Sequence, residues 1–365
     1  MERVRERHMA DFHRIKILEV YKETKDTVVL EFDIPKNLQK EFTFTQGQHL
    51  TLRKTINGED VRRSYSLCTS PADKQWKVAI KTIPNGIFSN YANTELKSGD
   101  VLEIMKPLGD FNVNINANAS NNYIAFAAGS GITPLLSIIK THLSIEPKST
   151  FKLFYLNQTV KSIIFKEEIE QLKNTFFDRF QVFYFLTKEQ RDIPFLNGRF
   201  TAEKLQILTK TFIDIEDTNH CFICGPKDMI FLIRDELEAA GLDKEKIHYE
   251  LFFSGDNNNE NKKIEKVLKH KSKGTEVTIV DGGTEFHFTM EDDFDTILEA
   301  ALSAGADLPF ACKGGVCSTC KCKLIEGEVT MKVNYALEDY ELKNNFILSC
   351  QAVPRSKKIK VDFDV

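Results

Sequence analysis

The chain has 365 residues, too many for one ordinary domain and enough for two or three, each able to bury its own core. Hydrophobic residues make up 42%, the net charge is only −4, and no apolar run is long enough to cross a bilayer. These values argue against nucleic acid as a partner and against a membrane span, and a soluble protein is expected. The first residues, Met1-Glu2-Arg3-Val4-Arg5-Glu6-Arg7-His8, lack the apolar segment of a secretory signal, and residues 1–8 read as a frayed extension. With that signal missing, and with four of the eight cysteines in a metal-cluster spacing described below that implies a reducing compartment, the cytoplasm is expected.

Short alternating segments at 14–20, 27–34, 49–53, 62–68 and 77–83, broken by Gly and Pro turns, predict a small antiparallel β-barrel over residues 10–118. Within it, Arg63-Ser64-Tyr65-Ser66 lies on a strand. The two-residue period sends Arg63 and Tyr65 to one face, and Ser64 and Ser66 to the other. The stretch 81–90 turns at Asn85-Gly86 and opens a helix containing Ser89, a natural place for backbone N–H groups to meet a pyrophosphate. Taken singly, the same residues are also an ordinary strand arginine, a half-buried tyrosine and a capping serine. His49 and His287 are assigned no role.

From Tyr123 the pattern changes. Apolar runs at 123–128, 151–156, 180–185 and 221–224, separated by helical stretches, predict an α/β module with a parallel sheet over 119–253. Gly129-Ser130-Gly131-Ile132-Thr133-Pro134 puts small residues at the end of the first strand, where a dinucleotide phosphate can approach the next helix. The third glycine of G-x-G-x-x-G is missing. A later strand ends in Cys224-Gly225-Pro226 and leads to Met229. After the second strand, Asn157-Gln158-Thr159-Val160-Lys161-Ser162 carries no carboxylate for a ribose 2′-hydroxyl, whereas Lys161 and Ser162 are suited to a 2′-phosphate. NADPH is therefore the expected coenzyme and NADH the alternative, although a lysine beside a serine is also simply a loop. Cys68, Cys221 and Cys322 read as small buried hydrophobes, and Phe252 and Phe253 as core aromatics, with a cover over a cofactor ring the less common alternative.

Residues 254–273, with Gly255-Asp256-Asn257-Asn258-Asn259 and a lysine-rich stretch, read as a solvated linker. Beyond it, segments 275–281 and 284–290 predict a hairpin around Asp281-Gly282-Gly283, followed by an amphipathic helix over 294–303. Cys312, Cys317, Cys320 and Cys350 then follow the C-x4-C-x2-C…C spacing by which plant-type ferredoxins hold a 2Fe-2S cluster. Gly314 and Gly315 let the intervening loop fold tightly and aim backbone N–H groups at the sulfurs. A structural zinc site is the chief alternative, but zinc favours paired C-x2–4-C ligands, which fit this spacing poorly. Over residues 274–365, sixteen acidic residues face nine basic ones. That excess reads either as solubility or as an acidic docking face for a basic partner.

Together these motifs resemble the ferredoxin-NADP reductase superfamily fused to a carboxy-terminal plant-type ferredoxin. The resemblance covers nearly the whole chain and implies a flavin barrel, a nicotinamide domain and an α+β β-grasp ferredoxin over 274–365. It implies that Arg63 grips the FAD pyrophosphate, Tyr65 stacks on the isoalloxazine and Ser66 hydrogen-bonds near N5, with Gly86 and Ser89 completing phosphate binding. G-x-G-x-T-P is the superfamily's own form of the glycine turn, implying roles for Gly129, Gly131, Thr133 and Pro134, with Thr133 approaching the flavin. Cys224 and Gly225 match the C-G-x-x-x-M segment beside the nicotinamide, so Tyr65, Ser66 and Cys224 are the implied catalytic residues.

The segments Arg62-Arg63-Ser64-Tyr65-Ser66-Leu67-Cys68 and Gly131-Ile132-Thr133-Pro134-Leu135-Leu136, with Ile347-Leu348-Ser349-Cys350-Gln351-Ala352, look most like the reductase subunits of ring-1,2-phenylacetyl-CoA epoxidases. Steroid hydroxylase reductases look similar. Gln158 and Tyr340 depart from the epoxidase pattern, where an arginine and an acidic residue are expected. The implied route runs from NAD(P)H through FAD and the 2Fe-2S cluster to di-iron epoxidase subunits in phenylacetate degradation. A Rieske-type hydroxylase or a hybrid-cluster protein is the alternative acceptor, and a redox-sensing or scaffold protein is the alternative of another class.

Overall fold

The computed structural model describes residues 12–252, 267–268 and 271–364. The extension read at 1–8, most of the linker read at 254–273 and Phe253 lie outside the described residues, while Phe252, read as a core aromatic, is 39% exposed. Two compact units result, one of residues 14–252 and a carboxy-terminal one containing 271–364.

The first unit begins with six strands: β1 (Phe12–Thr24), β2 (Thr27–Asp33), β3 (His49–Ile56), β4 (Glu59–Ser66), β5 (Trp76–Lys81) and β6 (Val101–Met105), ordered β4-β3-β6-β1-β2-β5. Ile56 pairs with Glu59, so β3 and β4 are joined by the two-residue loop Asn57-Gly58. Both loop residues have positive φ (54° and 85°), as a tight hairpin turn with the right twist requires. A bridge between Leu67 and Val78, with the Cys68 amide donating to the Lys77 carbonyl at 3.0 Å, carries the continuation of β4 onto β5 and closes the barrel. Alternation sends Ile17, Leu30, Leu50, Leu52 and Ile80 inward, each essentially inaccessible to water. β6 adds a strand that the alternation did not single out. α1 (Ile87–Thr94) follows β5.

The same unit continues through β7 (Asn122–Ala128), α2 (Ile132–Ile145), β8 (Thr150–Asn157), α3 (Lys166–Thr175), β9 (Phe180–Leu186), α4 (Ala202–Thr211), β10 (Thr218–Gly225), α5 (Lys227–Ala239) and β11 (Ile247–Leu251). Its sheet is parallel in the order β11-β10-β7-β8-β9. The chain winds outward from β7 to β9, then returns to the other side of β7 with β10. That reversal opens a crevice at the carboxyl ends of β7 and β10, where open α/β sheets bind their ligands. β11 escaped the apolar-run criterion because His248, Tyr249 and Glu250 interrupt it.

α2 joins the two halves of this unit. Ile132, Leu135, Leu136, Ile138 and Ile139 are fully buried, each contributing roughly 1.5–3 kcal/mol. Its polar positions face the barrel: the Ser137 hydroxyl donates to the Thr69 carbonyl (2.6 Å), and Thr141 shares a hydrogen bond with Ser70 (3.1 Å). Residues four apart on a helix share a face, so these two bonds dock one surface of α2.

The carboxy-terminal unit holds β12 (Thr275–Asp281), β13 (Thr284–Met290), α6 (Ile297–Ser303), β14 (Lys321–Glu326), β15 (Val329–Met331), α7 (Asp339–Lys343), β16 (Phe346–Leu348), β17 (Ala352–Pro354) and β18 (Lys358–Asp362). A five-stranded mixed sheet runs β13-β12-β18-β14-β16, with β12 and β18 parallel, and β15 pairs separately with β17. The β12–β13 hairpin matches its sequence expectation. α6 begins three residues later than the expected 294, because the Thr296 side chain accepts from the Glu299 amide and caps the helix there. Ile297, Leu298 and Ala301 of α6 pack on the sheet in one buried core with Val277 and Val361. The chain is thus multidomain: an antiparallel β-barrel, a parallel-sheet α/β module and an α+β module with a mixed sheet. Among the described residues, no helix is long and apolar enough to cross a membrane.

Candidate functional site

β4 and α1 together build the first half of the site. Tyr65 packs against Phe88 of α1 with ring centroids 5.7 Å apart, and burial raises the Tyr65 phenol pKa. Arg63, two residues earlier on the same face, is exposed. The amino terminus of α1 has Gly86 as its cap and no side-chain hydrogen bond, leaving backbone donors there. A Cβ on Gly86 would stand 2.5 Å from the Ser89 hydroxyl. That hydroxyl accepts from the Ile83 amide (3.2 Å) and so holds the loop to the helix. An exposed guanidinium, an aromatic face and uncapped helix amides suit the pyrophosphate and ring of FAD. Ser89 stands in that loop as a brace.

The second half lies at the crevice. Gly129 has φ +52°, and its carbonyl accepts from the Tyr155 hydroxyl at 2.9 Å. A Cβ on Gly131 would lie 2.1 Å from the Cys224 carbonyl oxygen, and one on Gly225 would lie 2.6 Å from Met229 Cε and 3.0 Å from Ala128 Cβ. The turn after β7 and the end of β10 therefore touch through backbone that only glycine permits. Thr133 is buried and its hydroxyl donates to the Ser130 carbonyl (3.0 Å), while Pro134 is buried in the first turn of α2. At the carboxyl end of β8, Asn157 is 5% exposed, and among the described residues neither atom of its side-chain amide has a partner at hydrogen-bond geometry. A buried unpaired amide at this edge fits a polar dinucleotide.

The two halves meet at Ser66. Its hydroxyl donates to Glu250 Oε2 at 3.4 Å, and Glu250 pairs in register with Cys224 across β10 and β11. Burial pushes the Glu250 carboxyl up to about 8, with the Ser66 hydrogen bond opposing. Burial also raises the Cys224 thiol well above its ordinary value, with the Glu250 charge adding to it. Ser66, Cys224 and Glu250 thus converge, and Glu250 is the member that sequence reasoning missed. A carboxylate inside the otherwise strand-like run Ile247-His248-Tyr249-Glu250-Leu251 was its only signal. His49, given no role from sequence, stands opposite Ser66 in the β3–β4 register. It is 4% exposed, its Nε2 has no partner among the described residues, and burial draws its pKa down to about 4.

In the carboxy-terminal unit, Cys312, Cys317 and Cys320 lie on the loop before β14, and Cys350 lies between β16 and β17. The sulfurs fall into two contacting pairs, Cys312 with Cys317 and Cys320 with Cys350. The Cys317 contact, then the amides of Gly314, Val316 and Cys317, hold the Cys312 thiol below its ordinary pKa. Cys350 is lowered likewise by Cys320, then by Gln351 and the Gly315 amide. Gly315 has φ +73°, and its Cβ would crowd Val333 and Gln351 at 3.0 and 3.1 Å. Two sulfur pairs ringed by amides suit a two-iron cluster, with two thiolates for each metal. Among the described residues, no three His, Cys, Asp or Glu side chains close on a single point. Cys68, Cys221 and Cys322 are buried in the cores, as expected of small hydrophobes.

A barrel with a helix amino terminus suited to a phosphate, a parallel sheet with a glycine turn at its switch point and four cysteines gathered into two sulfur pairs define a modular redox protein. Family comparisons agree with that class: an oxidoreductase FAD-binding domain matches residues 14–113, an oxidoreductase NAD-binding domain 126–235, and a 2Fe-2S iron-sulfur cluster binding domain 279–355. The chain is 41% identical to a subunit of the 1,2-phenylacetyl-CoA epoxidase of Escherichia coli (strain K12), over 98% of this chain and 99% of that one. It is 31% identical to the ferredoxin reductase component of 3-ketosteroid-9-alpha-monooxygenase of Rhodococcus rhodochrous, over 94% and 95%. Phthalate dioxygenase reductase shares the fold, with a TM-score of 0.58, 23% identity, and coverage of 96% of this chain and 98% of that one. An intact type IV self-sufficient cytochrome P450 monooxygenase gives a TM-score of 0.69 at 19% identity, over 96% of this chain but only 41% of that longer one. The chain belongs to the family of oxidoreductases, reductase components among them, that join FAD-binding, NAD-binding and 2Fe-2S cluster binding domains in this order.

Proposed function

We propose that this chain is the reductase component of a phenylacetyl-CoA epoxidase, carrying electrons from NAD(P)H by way of FAD and a 2Fe-2S cluster to di-iron oxygenase subunits in phenylacetate degradation. The observation that carries this reading is the 41% identity, across essentially both whole chains, to the Escherichia coli epoxidase subunit. FAD, when bound, exchanges electrons in pairs and singly, which lets a two-electron donor serve a one-electron carrier. In this reading Arg63 and the α1 amides, shaped by Gly86 and Ser89, hold the pyrophosphate, and Tyr65 supplies an aromatic face. Ser66 and Glu250 hold a proton at the meeting point of barrel and sheet. Gly129, Gly131, Thr133, Pro134, Cys224 and Gly225 form the walls of the coenzyme crevice. Cys312, Cys317, Cys320 and Cys350 are the cluster ligands. The proposed modules are 10–118, 119–253 and 274–365, joined by a linker at 254–273, and the proposed compartment is the cytoplasm, where free thiols persist.

Reconstitution tests the assignment. The loaded protein, NAD(P)H and di-iron epoxidase subunits are expected to form epoxide from phenylacetyl-CoA, and omission of the chain is expected to abolish product. Identity to the 3-ketosteroid-9-alpha-monooxygenase component favours a second reading, a Rieske-type hydroxylase as acceptor. Electron delivery to that hydroxylase but not to the epoxidase subunits would establish it. A redox-sensing or scaffold role requires the purified protein to show no sustained NAD(P)H-dependent dye reduction.

A further inference from the structure

The four cysteines of the carboxy-terminal unit come from two places in the chain, three from the loop 312–320 and Cys350 from the turn after β16. Gln351 ties those places together. Its backbone is pinned on both sides: the amide donates to the Leu348 carbonyl (2.8 Å), and the carbonyl accepts from the Lys332 amide (2.9 Å). The side chain is 4% exposed, and its methylene stem lies against Gly315. Nε2 donates to the Lys313 carbonyl at 2.9 Å and to Cys350 Sγ at 3.5 Å. Both partners are acceptors, so only the NH2 end of the amide suits that position, with one hydrogen for each.

The bond to Lys313 acts beyond its own two atoms. Lys313 has φ +51°, a left-handed conformation that disfavours a residue with a side chain and therefore needs support from its surroundings. The Lys313–Gly314 peptide is trans and planar, so its carbonyl and its N–H point in opposite directions. With the carbonyl held by Gln351, the Gly314 N–H is turned onto Cys312 Sγ at 3.3 Å. One side chain thus acts on both sulfur pairs, on Cys350 directly and on Cys312 through a peptide that it orients. The Thr319 hydroxyl also bonds a cysteine, Cys317, and so acts within one pair. The Lys313 ammonium lies 4.7 Å from the centroid of the Phe310 ring, a contact in which Gln351 takes no part.

We propose that Gln351 sets the reduction potential of the 2Fe-2S cluster, raising it by donating to Cys350 and by aiming the Gly314 N–H at Cys312. The inference rests on the reading of Cys312, Cys317, Cys320 and Cys350 as the cluster ligands. Reduction adds one electron, and so one unit of negative charge, to the four-thiolate cage without making or breaking a bond. A hydrogen bond to a ligand sulfur is stronger in the more negative state, so each such bond favours the reduced form. Gln351 is thus a positioning residue that makes the cluster a better acceptor for electrons leaving the flavin.

The test is the midpoint potential of the cluster in the FAD-loaded full-length protein, read by electron paramagnetic resonance during a dithionite titration. Parent and Gln351→Met are compared, because methionine keeps the stem and loses both hydrogens. The variant is expected to shift the reduction equilibrium about tenfold toward the oxidised form, a fall of about 59 mV for one electron. Lost packing alone would speed cluster loss on warming and leave the potential in place. Gln351 is the one glutamine in residues 253–365, so labelling glutamine side chains with nitrogen-15 gives a second reading from the parent alone. A nitrogen-15 coupling to the electron spin of the reduced cluster is expected, and it decides the matter where Gln351→Met fails to hold a cluster. An unmoved potential in a cluster-bearing variant, or no such coupling in the parent, overturns this proposal alone. Parent protein that assembles no 2Fe-2S cluster from iron and sulfide overturns it together with the cluster-ligand reading.

Discussion

Glu250 sits where burial sets its charge, and replacing it by glutamine separates that burial from everything else. Its carboxyl titrates at about 8 in the folded chain against an ordinary 4.5. Between those values the folded state keeps a proton that the unfolded state has released, so stability falls as pH rises, by about 1.4 kcal/mol per unit. Below 4.5 both states are protonated and the effect vanishes, whereas above about 8 it is complete. At pH 7 the full effect would be roughly 3 kcal/mol, and partial access of water to this half-buried group reduces the expectation to about 2 kcal/mol. Glu250→Gln removes the titration, so the variant should gain on the parent steadily from pH 5 to pH 8. The chain's one tryptophan, Trp76, lies in the barrel with its indole N–H donating to the Phe42 carbonyl at 2.7 Å. Its fluorescence therefore reports unfolding of residues 14–252, and urea titrations of flavin-free protein at several pH values measure the difference directly. A parent-minus-variant difference flat within about 0.5 kcal/mol over that range would refute the burial argument.

Cys317→Ser is expected to abolish cluster-dependent cytochrome c reduction while sparing ferricyanide reduction with the flavin bound. Loss of both activities would contradict a modular electron path. Gly131→Ala forces a methyl group to within 2.1 Å of the Cys224 carbonyl oxygen, and that backbone cannot yield without moving β10. It should cost about 2 kcal/mol in the Trp76 transition and at least about tenfold in kcat/KM for the coenzyme, and parental values for both would show that the crevice tolerates a side chain. Glu341 is 2% exposed and pairs with Lys321, the residue after Cys320, at 2.6 Å. Lys321→Met alone should cost about 3 kcal/mol by stranding a buried charge, whereas adding Glu341→Gln should recover most of it. Thermal loss of cluster absorbance follows this pair, and a single variant no worse than the double would sink the assignment.

What was legible in the chain and what was not follow one physical division. Cysteine spacing, the Arg63-Ser64-Tyr65-Ser66 strand and the Gly129–Gly131 turn are local, because each constrains backbone geometry over a few residues. The β12–β13 hairpin was legible for the same reason, its turn signal and its alternation lying side by side. β11 and Glu250 were not, since Glu250 matters through Ser66, 184 residues away in sequence. Glu189 likewise reaches the loop 157–162 from the next strand, so a search of those residues for a carboxylate could not find it. The hydroxyls of Ser89 and Thr133 stood in the right motifs, yet each is committed to nearby backbone, which makes it a brace for the loop that carries it. Local sequence thus dictates where backbone donors and ligating atoms stand, while charge state depends on which distant strand covers them. Two enzymes of this family with identical motifs can therefore differ in pH response through strand-end residues such as Glu250, and it is at such positions that variation in function is best sought.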